Sequence, residues 1–225
     1  MFSSPRSFTR PGWSRFFVAL AGLALFAARG AQAGPPETTG KEAPLTAEAD
    51  PIFHHGALDV QFMAGAVFSL QNTSIRRPNF DYAPVVLRLG YMFNNVYGRG
   101  FFQGNDEVML EAFGAGVFTG PGNGLGGLSL LYRRNFLAPN ARVIPYFTAG
   151  IGGIYTDAYH DRNQGALGGA GEFNIQATTG LRFRVSTQLT VDTEFTYRHF
   201  SNAGLADRNL GTNGIGGMIG VSYGF

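Results

Sequence analysis

The chain predicts an all-β fold, an eight-stranded antiparallel transmembrane β-barrel, and three observations carry that prediction. Downstream of Leu58 no apolar run approaches the length of a membrane-spanning helix, yet short stretches of alternating polarity recur between turn clusters. That is the weak per-strand pattern of a membrane barrel, whose strands need about 9 to 11 residues. Eight such stretches can be counted, at 58–69, 81–93, 107–118, 125–136, 143–156, 173–183, 189–199 and 215–225. The composition agrees, since 33 glycines, 14% aromatic residues and no cysteine in 225 residues are unusual for a soluble enzyme.

Before the first strand, residues 1–33 read as a secretory signal peptide. Arg6, Arg10 and Arg15 precede the apolar run 16–28, and Ala31-Gln32-Ala33 supplies a small-residue cleavage site. The run falls short of the roughly 18 to 20 residues that a spanning helix needs. Cleavage there removes four of the 17 basic residues and none of the 15 acidic ones, which turns a net charge of +2 into −2. The precursor's positive charge is therefore no argument for nucleic acid, and no such partner is expected. Residues 34–56, rich in Pro, Gly, Thr and Glu without an apolar period, predict a flexible periplasmic segment, and 57–225 the barrel. His54 and His55 have no second cluster at ligand spacing, so they read as a polar strand edge. Without cysteine there is no disulfide, thiolate metal site or Cys nucleophile, and no metal or other cofactor is expected.

Strand faces follow from parity. In the second strand Ala83, Val85, Leu87, Leu89, Tyr91 and Phe93 share one side and Arg88 takes the other; in the third, Val108, Leu110 and Ala112 oppose Glu107 and Glu111. Arg88, Glu111, Arg182, Asp192, Glu194 and Arg198 then point into the lumen, where a small barrel is filled by side chains and charges pair with one another. With both strand-bundle ends on the periplasmic side, 137–142 and 184–188 are short inner turns, while 70–80 and 155–172 are outer loops. Arg76, Arg77 and Arg162 fall in those outer loops, where a guanidinium fork suits a phosphate.

The end of the chain is the most informative stretch. Val191, Thr193, Phe195, Tyr197 and His199 alternate with Asp192, Glu194, Thr196 and Arg198; Ile215, Gly217, Ile219, Val221, Tyr223 and Phe225 alternate with small residues and Met218. A chain ending on such a strand, with a terminal Phe, resembles a bacterial outer-membrane barrel protein. The resemblance implies the outer membrane of a Gram-negative bacterium and its barrel-assembly machinery as a partner. Between the two runs, Tyr197-Arg198-His199-Phe200-Ser201-Asn202-Ala203-Gly204 is similar to the His-x-Ser-Asn core that closes the penultimate strand in the outer-membrane lipid A 3-O-deacylase family. What this implies is an eight-stranded barrel that hydrolyses an ester-linked 3-hydroxyacyl chain of lipid A in lipopolysaccharide. His199 and Ser201 would act together, with oxyanion donors at Asn202 and Gly204. The family's third residue is a Glu on the next strand, and the matching position here, twelve residues after Ser201, holds Asn213. Pairing of the barrel into a homodimer is left open, and a noncatalytic barrel with a structural or adhesive role is the alternative reading.

Geometry bears on this directly. His199 and Ser201 share a parity, so on a continuing strand they project to one side, about 6.7 Å apart along the chain. That side is also the lipid-facing side of Phe195 and Tyr197. A hairpin centred near Asp207 puts Ser201 opposite Asn213, with His199 diagonal to it. In this scheme His199 takes the Ser201 proton, Ser201 attacks the ester, and Asn213 orients the imidazole. Asp207 reads as a turn former, and Glu194 has lumen parity.

Overall fold

The computed structural model describes residues 50–70 and 77–225. The expected signal peptide, residues 34–49 of the expected flexible segment and Arg76 lie outside them. Eight strands, β1 (Leu58–Ser69), β2 (Asp81–Met92), β3 (Gly104–Thr119), β4 (Gly124–Phe136), β5 (Val143–Thr156), β6 (Gly171–Arg184), β7 (Leu189–Ser201) and β8 (Thr212–Gly224), follow one another around a closed antiparallel barrel. Each expected strand is present. The largest boundary differences, three residues each, are at the starts of β3 and β8; at β3, Gly104, Asn105 and Asp106 keep pairing with Phe136, Asn135 and Arg134 of β4. Polarity marks only the part of a strand that crosses the apolar layer, whereas hydrogen bonding continues beyond it.

Closure comes from β1 pairing with β8 from Asp59↔Gly224 to Ser69↔Gly214. It removes the unpaired edges that a membrane could not hydrate. The outside is apolar: Leu89, Leu110, Leu128, Leu130, Ile151, Ile175, Phe195 and Ile219 are all exposed. The inside is filled. Its outer half holds an apolar cluster that includes Met63, Tyr82, Phe113, Phe200 and Met218. Gly216 and Gly220 of β8 make room there, because a Cβ at either would press on Val67 or Met63.

Below that cluster lies a charged layer. Arg88 bridges Glu111 at 2.8 Å and Glu194 at 2.5 Å, Arg198 meets Glu111 at 3.1 Å, and Arg182 meets Asp59 at 2.5 Å. The six lumen charges read from parity are all buried. Glu107, Arg133 and Tyr146 join them.

One expectation is corrected at the end where Leu58 and Phe225 exchange backbone hydrogen bonds. Residues 50–56 were expected within the flexible segment, yet Ile52 and Phe53 are buried against Met92, Leu137 and Ile144. Asp50 also accepts from Arg184 at 2.6 Å. Two large apolar side chains in a polar stretch are enough to seat it in the mouth of the barrel. His54 and His55 lie just beyond, the latter with its ring edge-on to Tyr91. The β2–β3 connection at this same end is longer than its neighbours and folds back along the exterior. Asp106 holds it by accepting from Asn94, Tyr97 and Tyr132, each at 2.7 Å.

Candidate active site

The outer ends of β7 and β8 bring three of the expected residues together. Alternation sends His199 and Ser201 to the outside of the barrel, each half-buried, and Asn213 of β8 shares that face. His199 Nε2 lies 3.1 Å from Ser201 Oγ, and His199 Nδ1 lies 2.6 Å from Asn213 Oδ1. The roughly 6.7 Å between the two β7 backbone positions is closed by the imidazole leaning along the strand.

The register differs from expectation by two. Asn213 pairs directly with His199, not with Ser201, so the hairpin centres on Ala206. The strands are joined by an asymmetric loop. The Asn202 carboxamide oxygen accepts from the backbone N–H of Gly204 at 3.1 Å and of Ala206 at 3.4 Å, while Ala203 and Gly204 take positive φ values of 53° and 83°. A shift of two preserves parity, so the faces read from sequence survive it. Direct opposition also suits the short Asn side chain better than a diagonal would.

Asn202 and Gly204 were expected to present donors toward Ser201, and the structure turns both into the loop instead. Asn202 is buried, its amide donating to the Arg208 carbonyl at 2.9 Å and to Glu172 at 3.4 Å, and the Gly204 N–H is the one bound by Asn202. Asn202 has the even parity of Asp192, Glu194 and Arg198, the buried face of β7, which turns it away from Ser201. The loop is braced further by Arg208, which donates to the carbonyls of Tyr159, Asp161 and Gln164 in the β5–β6 connection at 2.7, 2.6 and 2.9 Å. Asp207 is exposed, Glu194 is sealed in the lumen, Arg162 is exposed, and Arg77 is half-buried.

Two neighbours of the site were not singled out from sequence. Tyr197 donates its hydroxyl to Asn213 Oδ1 at 2.9 Å, reaching diagonally past its direct partner Ile215. Its parity with His199 was the available signal. Gly211 has φ 66°, and a Cβ there would come within 3.0 Å of the His199 ring and 3.4 Å of the Ser201 side chain. On the other flank Phe173 and Ile175 of β6 pair with Ser201 and His199. They border an apolar hollow of the outer surface lined also by Leu110, Leu128, Leu130 and Ile151. A hydroxyl with an imidazole at hydrogen-bond distance, on the outer face at the barrel rim, has the arrangement that attack on an ester requires.

A family model described as "Lipid A 3-O-deacylase (PagL)" matches residues 88–222, which contain His199, Ser201 and Asn213. The chain belongs to this family. No curated protein sequence matches it. Among solved structures, it is similar to the outer membrane enzyme PagL, at 20% identity and a TM-score of 0.49, covering 72% of this chain and 97% of that one. Neisserial surface protein A is similar at 14% identity and a TM-score of 0.50, covering 76% and 98%. Ail of Yersinia pestis follows at 15% and 0.44, covering 76% and 99%. The likeness to Neisserial surface protein A speaks to the fold, which is a closed barrel with an apolar exterior. Such a barrel is a protein of the Gram-negative outer membrane.

Proposed function

We propose that this family member removes an ester-linked 3-hydroxyacyl chain from lipid A by forming an acyl-enzyme on Ser201. The observation that carries the reading is the chain of contacts from Asn213 through His199 to Ser201, at 2.6 and 3.1 Å, on the lipid-facing side of the rim. His199 Nε2 takes the hydroxyl proton as Oγ attacks the ester carbonyl, and returns it to the sugar oxygen as the ester C–O bond breaks. Water, deprotonated by the same nitrogen, then releases the acid and restores Ser201. The position suits an amphiphile: the sugar stays at the aqueous rim while the acyl chains lie along Phe173, Ile175 and the hollow beside them.

Asn213 accepts through its oxygen and so supports the Nδ1–H tautomer, leaving Nε2 free to act as base. What it lacks is charge. A hydrogen bond to a charged group contributes about 1.5 to 3 kcal/mol against about 0.5 to 1.5 for a neutral pair. Asn213→Asp, which has the same length and keeps the 2.6 Å reach, is therefore expected to raise kcat by on the order of tenfold. Asn213→Ala is expected to lower it by a similar factor. Equal rates in Asn213→Asp, Asn213→Ala and wild type, measured on lipid A in detergent, would remove Asn213 from the mechanism.

The test of the whole reading is mass spectrometry of lipid A from Gram-negative cells with and without the protein. Loss of one 3-hydroxyacyl chain is the expected result. Unchanged lipid A in cells where the folded barrel is present in the outer membrane would return the protein to a structural or adhesive role.

A further inference from the structure

We propose that Tyr197 is a positioning residue of this site, whose phenol holds the Asn213 amide with its oxygen toward His199. The inference rests on the reading of His199 and Ser201 as base and nucleophile. It answers a difficulty created by the uncharged residue at 213. A carboxylate presents an acceptor whichever way it turns, but an amide has two unlike faces. With Oδ1 toward His199, Nδ1 must carry the proton and Nε2 accepts from Ser201. With Nδ2 there instead, Nδ1 must be bare, the proton moves to Nε2, and the base can no longer take a proton from the hydroxyl. The two arrangements contain the same number of hydrogen bonds, so the imidazole and the amide by themselves choose poorly between them.

Tyr197 makes the choice unequal. Its hydroxyl lies 2.9 Å from the same Asn213 Oδ1 that lies 2.6 Å from His199 Nδ1. A phenol is a good donor and a poor acceptor, whereas an amide oxygen is a good acceptor. The pairing of O–H with Oδ1 is therefore stronger than Nδ2–H with the phenol oxygen. The ring sits on the lipid-facing side near the rim, paired with Ile215 and Ala177, where an interfacial Tyr is common; here its hydroxyl is turned onto Asn213. A polar group aimed along a lipid face toward a half-buried amide has the relay as its partner.

Removing one such bond changes the ratio of the two arrangements by about 3- to 10-fold. Tyr197→Phe is therefore expected to take the productive arrangement from about 75–90% of the population to about half, lowering kcat on lipid A by up to about twofold with KM unchanged. In an Asn213→Asp background, where both faces accept, the same substitution is expected to change kcat by a smaller factor than in wild type. The second readout is independent of turnover. With ¹⁵N-labelled histidine in detergent-solubilised barrel, where the chain has only four histidines, His199 is expected as the Nδ1–H tautomer in wild type and as a mixture in Tyr197→Phe. Heat-modifiable gel mobility confirms that each variant is folded. An equal loss of kcat in both backgrounds, or a His199 tautomer untouched by Tyr197→Phe, overturns the proposal. A tautomer shift in a protein that leaves lipid A intact supports the positioning role and overturns the hydrolytic one.

Discussion

Ser201→Ala is expected to abolish deacylation of lipid A, lowering kcat by on the order of 10⁴- to 10⁶-fold, the scale seen when a nucleophile is removed from a Ser–His relay. His199→Ala is expected to fall in the same range, and the double variant to be no worse than either single one, because the two groups act as a unit. Neither change should cost folding. Both side chains lie on the outer face at the end of β7 and touch none of the lumen network, so barrel assembly and heat-modifiable mobility should match wild type. The measurement is release of hydroxy acid from purified lipid A, set beside gel mobility. Turnover within tenfold of wild type in Ser201→Ala would place the nucleophile elsewhere. Loss of the folded form in both variants would show that the motif serves the barrel rather than the substrate.

The largest expected effect on stability is at the opposite face of the same strand. Glu194 accepts from Arg88 at 2.5 and 3.1 Å, from Tyr146 at 2.8 Å and from Arg133 at 3.5 Å, in a lumen that excludes solvent from all four residues. Glu194→Ala leaves two guanidinium groups short of a counter-charge in a buried layer, which typically costs about 3 to 5 kcal/mol. Glu111 and Glu107 still face Arg88 and Arg133 at 2.8 and 3.4 Å, which favours the lower end of that range. Denaturant titration of the barrel in lipid vesicles should show the loss, while deacylation per folded molecule should stay unchanged. A difference below about 1 kcal/mol would mean that the remaining lumen carboxylates take up both charges. A selective fall in turnover would connect the lumen to the rim in a way that parity does not suggest.

Much of this protein was legible in its sequence because a barrel strand has only two faces. A period of two sorts Val191 to His199 into lipid-facing and lumen-facing sets without knowledge of any partner. The same rule placed His199, Ser201 and Asn213 on one surface and Glu194 on the other. The register error of two left these assignments intact for that reason. Tertiary structure decided what depends on distance and on local loop geometry. The pairing of β7 with β8 centres the hairpin on Ala206 and makes Asn213 the direct neighbour of His199, and the Asn202 side chain closes its own turn, which takes Asn202 and Gly204 away from Ser201. Ile52 and Phe53 enter the barrel mouth because Met92, Leu137 and Ile144 converge there from distant strands. The Tyr197 hydroxyl meets Asn213 because an aromatic side chain spans a diagonal between strands. Alternation is a local property that each strand carries alone, whereas a hydrogen bond between two strands exists only once their register is set.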